Sequence, residues 1–322
     1  MLLWRTWLAL FCSLLLTTSF SAAETTPAET QTGLLWKIER PGLVPSWLFG
    51  TIHLSDPEVA RLPQEASQAL ADAQTVITEI KLDDGSEMLA VVKEMQAPNK
   101  PLPTLLGERD FARLAAALAR HGYPEPFVAG LQPWAAWMLL ALPAPQENAV
   151  LPLDMQIASL AKQKKLANRG LETAEEQLAL FKHIDPNQLQ RLIRFQLDHP
   201  QEESRLFGEL IAAYRRGDLS ALLALSLSTD DSVPEEDRAW ARSWMREMNE
   251  VRNQRMAQRL QPILANGGAF VAVGALHLPG PEGLIALLRT QGYRITPTHR
   301  PATTTPLPQK EPSHALPHAA GN

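Results

Sequence analysis

Among the 322 residues there is a single cysteine, Cys12. One thiol cannot build an internal disulfide framework, a Cys-rich zinc module or a Cys-ligated iron–sulfur cluster. An excess of one charge is lacking as well. The 30 Lys and Arg face 35 Asp and Glu, for a formal charge of −5, which leaves no electrostatic footprint for nucleic acid. No G-x-S-x-G elbow occurs, which argues against a serine nucleophile of that type. Long apolar runs are missing too. The stretch from Leu8 to Leu16 is well short of the ~20 residues that span a bilayer.

That short run instead reads as the centre of an export signal. Arg5 is its only charge before Glu24, and Ser21-Ala22-Ala23 offers small residues for cleavage. The expectation is a signal peptide at 1–23, a flexible segment at 24–33 and one α/β domain at 34–296. A proline-rich tail at 297–322 lacks apolar periodicity and is expected to be disordered. Cleavage removes Cys12 and leaves no stable transmembrane span, so the chain is expected in the periplasm or secreted.

Apolar alternation predicts strands at Leu34–Arg40 and Ser46–Phe49, paired as a hairpin across Pro41-Gly42. A helix at Pro63–Ala73 and a β-branched strand at Gln74–Ile80 follow. The middle reads as helices: Glu108–His121, Pro126–Leu142, Leu153–Lys164, one opened by the capping box at Thr173–Glu176, and a long charged helix at Pro234–Leu264. A short strand fits within Lys165–Leu171. Near the C-terminus come a buried strand, Ala269–Val273, a helix, Pro281–Gln291, and a last strand at Tyr293–Ile295. The fold class is therefore α/β, a central sheet built from N- and C-terminal strands around a large helical middle.

Two stretches repeat. Gly50-Thr-Ile-His53-Leu-Ser-Asp-Pro57-Glu58 and Gly274-Ala-Leu-His277-Leu-Pro-Gly-Pro281-Glu282 share Gly, His, Leu, Pro and Glu in one register. Each follows an apolar strand, and each proline is expected to open a helix. Gly50 and Gly274 permit close backbone approach. Each histidine then sits at the carboxyl end of a strand, where open α/β sheets bind ligands. If the two units pair, two imidazoles converge, and imidazole is both a metal ligand and a base near neutral pH. Satisfied structural histidines on a duplicated turn are the plainer alternative.

Glu79 ends the strand Gln74–Ile80 amid Val76, Ile77 and Ile80, where a carboxylate is costly unless paired or metal-bound. A solvent-facing position is the other reading. Arg252, Asn253 and Arg255 lie late on the long helix. They form either a solvated face pairing with Glu247 and Glu250 or, through Arg252, a guanidinium aimed at the site. Trp134, Trp137, Trp240 and Trp244 read as core packing, with a ligand groove as the alternative.

These residues together resemble the TraB/GumN family, with its TIKI-like and PrgY-like members. The likeness rests on Leu48–Asp56, Glu79, Leu171–Gln177, Tyr214 with Gly217-Asp218, Val251–Arg255 and Val273–His277, and covers nearly all of Leu34–Ile295. Asp154 also matches a family position, although Leu153 stands where a glycine is common. The resemblance implies a fold shared with erythromycin-esterase-like and ChaN-like proteins. It further implies a metal-dependent hydrolase site at His53, Glu79 and His277, with Arg252 nearby.

Two functions follow as expectations. In the first, a divalent cation, Zn, Mn or Co, is held by His53, His277 and Glu79, and a peptide or small ester or amide is hydrolysed. Glu79 acts there as ligand or general base, Arg252 steadies the oxyanion, and Gly50, Gly274 and Asn253 shape the site. In the second, the same pocket captures a secreted peptide or small ligand without cleaving it.

Overall fold

Leu35, Trp36 and Ile38 bury their side chains in β1 (Leu35–Glu39), which pairs antiparallel with β2 (Ser46–Thr51) from Leu35↔Phe49 to Ile38↔Ser46. This is the expected hairpin. β3 (Thr75–Thr78) and β4 (Ala167–Gly170) pair parallel, and β5 (Ala269–Gly274) lies parallel to both β3 and β2. β6 (Arg294–Pro297) closes the far edge antiparallel to β1. The order is β4-β3-β5-β2-β1-β6. Every residue of β5 is buried, as a central parallel strand covered on both faces requires.

The structure is a computed structural model that describes residues 31–298 apart from 83–84, 98–101, 144–146 and 229–234. The signal peptide expected at 1–23 and all of the expected tail but Pro297 and Thr298 lie outside the described residues. Gln31 and Gly33 precede β1 and bond to the corner around Gly217–Ser220. No helix among the described residues is long and apolar enough to cross a membrane.

Helices fill the middle of the chain between β3 and β5, interrupted by β4. The stretch Pro126–Leu142 is two helices, Glu125–Ala129 and Pro133–Leu140, not one. Pro133 forces its predecessor out of helical geometry, and Gln132 is extended at ψ 145°. The four tryptophans are core: Trp134, Trp137 and Trp244 are buried, Trp240 is partly so, and the Trp137 and Trp244 rings meet edge to face at 5.6 Å.

Pro57 and Pro281 open no helix. The Asp56 carboxylate accepts the Glu58 N–H in a tight turn, and the next helix starts at Gln64. After the second proline, Gly283 is extended and the helix starts at Leu284. The long helix before β5 is continuous but carries one π turn, Glu247–Val251, between Glu235–Arg246 and Arg252–Leu264. Such wide turns are frequent at functional sites, and this one immediately precedes Arg252.

Candidate functional site

The repeated units are neighbours. β2 and β5 run side by side with Gly50 opposite Val273 and Thr51 opposite Gly274. Both histidine turns therefore leave the sheet at one edge. Gly50 allows close approach: a Cβ there would lie 3.1 Å from Cα and Cβ of Ala275, which would have to give by a few tenths of an ångström. The first glycine thus makes room for the turn Ala275–His277 that carries the second histidine.

Glu79 follows β3, on the other side of β5, and is 5% exposed. Its Oε1 accepts the Gly274 N–H at 2.7 Å. The same oxygen lies 3.6 Å from His53 Nε2 and 3.8 Å from His277 Nε2. The solvent-facing reading of Glu79 fails because β3 is covered on both faces.

Each imidazole is held from behind. His53 Nδ1 lies 2.5 Å from Asp154 Oδ2, on the first turn of the helix Leu153–Gln163. Asp154 Oδ1 accepts the Thr51 hydroxyl at 2.7 Å. His277 Nδ1 lies 2.7 Å from Asn253 Oδ1, and Asn253 Nδ2 donates to the Glu282 carbonyl at 2.8 Å. The amide is thereby oriented with its oxygen toward the ring. His277 accordingly carries its proton on Nδ1 and turns the Nε2 lone pair toward Glu79.

Glu79 Oε2 faces the other way. It accepts from Arg252 Nη2 at 2.7 Å and from Gln177 Nε2 at 3.2 Å. Arg252 is 1% exposed and also donates to Glu172 and to the Met248 carbonyl. It stands on the side of Glu79 away from the histidines. Arg255 binds Glu172 too, while Glu250 is taken by Arg246. The solvated helix-face pairing is not what forms.

The electrostatics are asymmetric. Burial opposes charge on His53, but Asp154 and Glu79 outweigh it and raise its pKa from 6.5 to about 10. Burial, assisted by Arg252 against the pull of Glu79, lowers that of His277 to about 4. Burial also opposes charge on Glu79, yet His277, Arg252 and His53 hold its carboxyl well below the usual range. His277 is fully buried and the His53 side chain is 16% exposed, so the site opens on the His53 side.

Thus the structure brings His53, Glu79, His277 and Asn253 together, with Gly50 and Gly274 in the turns beneath them. Arg252 reaches the site through Glu79. Among the described residues no three His, Cys, Asp or Glu side chains form a ready-made metal cage. The donor set nonetheless suits a cation: two imidazole edges, each with Nδ1 anchored, face one carboxylate oxygen, the arrangement by which outer partners orient metal-binding histidines. Their separations from that oxygen exceed by a few tenths of an ångström the ~3.3 Å between two ligands on tetrahedral zinc.

Sequence reasoning missed the roles of Thr51, Asp154, Glu172 and Gln177. Tyr214, whose buried hydroxyl donates to the Gly50 carbonyl at 3.1 Å, also entered only through the resemblance. Glu172 and Gln177 flank a capping box whose polar pattern looks the same on a solvated helix.

The model of the TraB/PrgY/gumN family matches residues 34–297. The chain is 27% identical to "Metalloprotease TIKI2" of Danio rerio, over 83% of this chain and 61% of that one. It is 26% identical to "Metalloprotease TIKI1" of Homo sapiens, over 83% of this chain and 62% of that one. It is also 26% identical to YbaP of Escherichia coli, over 78% of this chain and 90% of that protein. The chain thus spans about three-fifths of the length of the metalloproteases it matches. No solved structure matches it.

Proposed function

Because the chain belongs to the TraB/PrgY/gumN family, we propose that it is an exported, metal-dependent hydrolase of peptide or small ester and amide bonds. The observation that carries this is the convergence of His53 Nε2 and His277 Nε2 on Glu79 Oε1. The relatives named metalloproteases support the same reaction class. His53, His277 and Glu79 would hold the ion, which is Zn, Mn or Co given nitrogen and oxygen donors alone. When bound, such an ion polarises a carbonyl and brings the pKa of a bound water toward ~7.

The remaining residues prepare that site. Asp154 orients His53 and favours its Nε2 as donor once the ring is neutral. Asn253 fixes the His277 tautomer. Arg252 and Gln177 occupy Glu79 Oε2 and so leave Oε1 turned toward the imidazoles. Substrate would enter beside His53, the exposed member, while His277 and Glu79 stay shielded from water.

A second reading has one observation in its favour. The His53 side chain is 16% exposed while His277 is fully buried, so one imidazole borders the open side of the site. The pocket would then capture a secreted peptide or small ligand against that ring without cleaving it. The two readings part on one experiment. The purified chain is analysed for Zn, Mn and Co, and its turnover of peptide and ester libraries is measured beside His53→Ala and His277→Ala. Bound metal and turnover, both lost in the variants, are expected. No metal and no turnover after loading with any of the three would overturn the hydrolase and leave capture.

A further inference from the structure

Glu79 does not stand alone in the interior. Glu172 lies beside it with a fully buried side chain, and the two carboxylates are bridged twice. Arg252 Nη2 donates to Glu79 Oε2 at 2.7 Å and to Glu172 Oε2 at 2.6 Å. Gln177 Nε2 donates to the same two oxygens, at 3.2 Å each. The backbones are tied as well, since the Glu172 N–H donates to the Glu79 carbonyl at 2.7 Å. The other Glu172 oxygen, Oε1, takes Arg255 through both Nε and Nη2.

Two carboxylates this close repel unless cations sit between them, and here two guanidiniums balance two carboxylates. Arg252 supplies Nε and Nη2 to Glu172 and Nη2 to Glu79, so Glu172 dictates where the guanidinium plane lies. Without the Glu172 charge, Arg252 would lose the carboxylate that holds its Nε and Nη2 and keep its bond to Glu79 Oε2. A guanidinium favours two parallel bonds to one carboxylate and would compete for Oε1, the oxygen that faces the histidines.

We propose that Glu172 is a positioning residue of this site: by holding Arg252 and Arg255 it keeps Glu79 Oε1 turned toward His53 and His277. The inference rests on the reading of those three residues as one functional site. It adds a residue whose side chain is fully buried and bonds to Arg252, Arg255 and Gln177 rather than to the histidines. The arrangement assigns Glu172 an electrostatic task, which a merely space-filling role would not have.

The test uses the full-length mature chain and two readouts. The first is the ring ¹⁵N spectrum of the histidines in metal-free protein, for wild type, Glu172→Gln, Arg255→Gln and the double variant. Glu172→Gln is expected to move the His53 and His277 ring signals. Arg255→Gln, at a side chain 32% exposed, is expected to fold and to move them in the opposite sense. The double variant restores the charge balance and is expected to return them toward wild type. The second readout is the calorimetric affinity for Mn²⁺ and Co²⁺, expected to fall about 10–100-fold in Glu172→Gln and to recover in part in the double variant.

Unmoved ring signals in folded Glu172→Gln would overturn the inference, whatever the metal does. Should that single variant fail to fold, unmoved signals in Arg255→Gln would overturn it equally. Moved signals in a protein whose wild type binds no metal would uphold the role of Glu172 and sink the hydrolase reading instead.

Discussion

At the scale of single residues, the site turns on which atom of each ring faces inward. Asn253 contributes one acceptor to His277 and is itself fixed by the Glu282 carbonyl. Replacing Asn253 by Ala frees the imidazole to take either tautomer. Metal affinity is expected to drop about 10–100-fold, read by calorimetry with Co²⁺, while the fold persists. Gly50 makes a different demand. Gly50→Ala places a methyl 3.1 Å from Ala275, backbone that cannot swing aside like a side-chain tip. Overpacking of this sort costs about 1–3 kcal/mol, and chemical denaturation should show it. The displaced turn carries His277, so affinity for metal should fall with stability.

At the scale of elements, the capping box at Thr173 is fully formed. Its hydroxyl accepts the Glu176 N–H, and the Glu176 carboxylate accepts the Thr173 N–H. Thr173→Ala is expected to lose about 1 kcal/mol in urea denaturation. Arg259 then adds charge, and its hydrogen bonds are the largest reason that the Glu176 pKa falls from 4.5 to about 2. A depressed carboxyl pKa stabilises the fold above about pH 4.5 and ceases to do so as pH falls through about 2. The stability difference between wild type and Glu176→Gln should therefore shrink as denaturation is repeated from pH 6 downward. A difference independent of pH would show that the carboxylate charge plays no part.

The elements also show what the sequence made legible. Apolar alternation makes β1 and β2 readable, β-branched residues β3 and a continuous apolar run β5, and the shared Gly-x-x-His register points to a common edge. Helix limits were readable only where a local rule settles them. The break before Pro133 follows from one such rule, and treating Pro126–Leu142 as a single buried segment overlooked it. The absence of helices at Pro57 and Pro281 depends on a side-chain turn and an extended Gly283, which periodicity does not register. The buried polar network was hidden for a different reason. Glu172, Gln177, Arg252 and Arg255 have the spacing of ordinary solvated helix and cap residues. Only the packing of the Arg252–Leu264 helix against the segment after β4 shows that their charges are spent on one another.

At the scale of the whole molecule, β5 is the only strand among the described residues that joins the β4–β3 pair to the β2–β1–β6 group. It also supplies the Gly274 N–H to Glu79 and leads directly into His277. A chain ending at Asn266 would keep most of its helices and Glu79, yet have no sheet centre. Such a chain is expected to unfold without a cooperative transition by circular dichroism and to bind no Mn²⁺ or Co²⁺. Retention of a sharp transition would show that the helical middle is stable by itself.

The place of β5 in the chain also sets an order of events. Its partners β2 and β3 are synthesised early, and the edge that each turns to β5 waits until most of the polypeptide has been made. Contacts between segments so distant in sequence form slowly, because a long loop must close before they reward it. The sheet is therefore expected to lack its centre through most of the synthesis of the chain. Its histidines come together only when the last strands arrive, so the site is among the last parts of the molecule to be assembled.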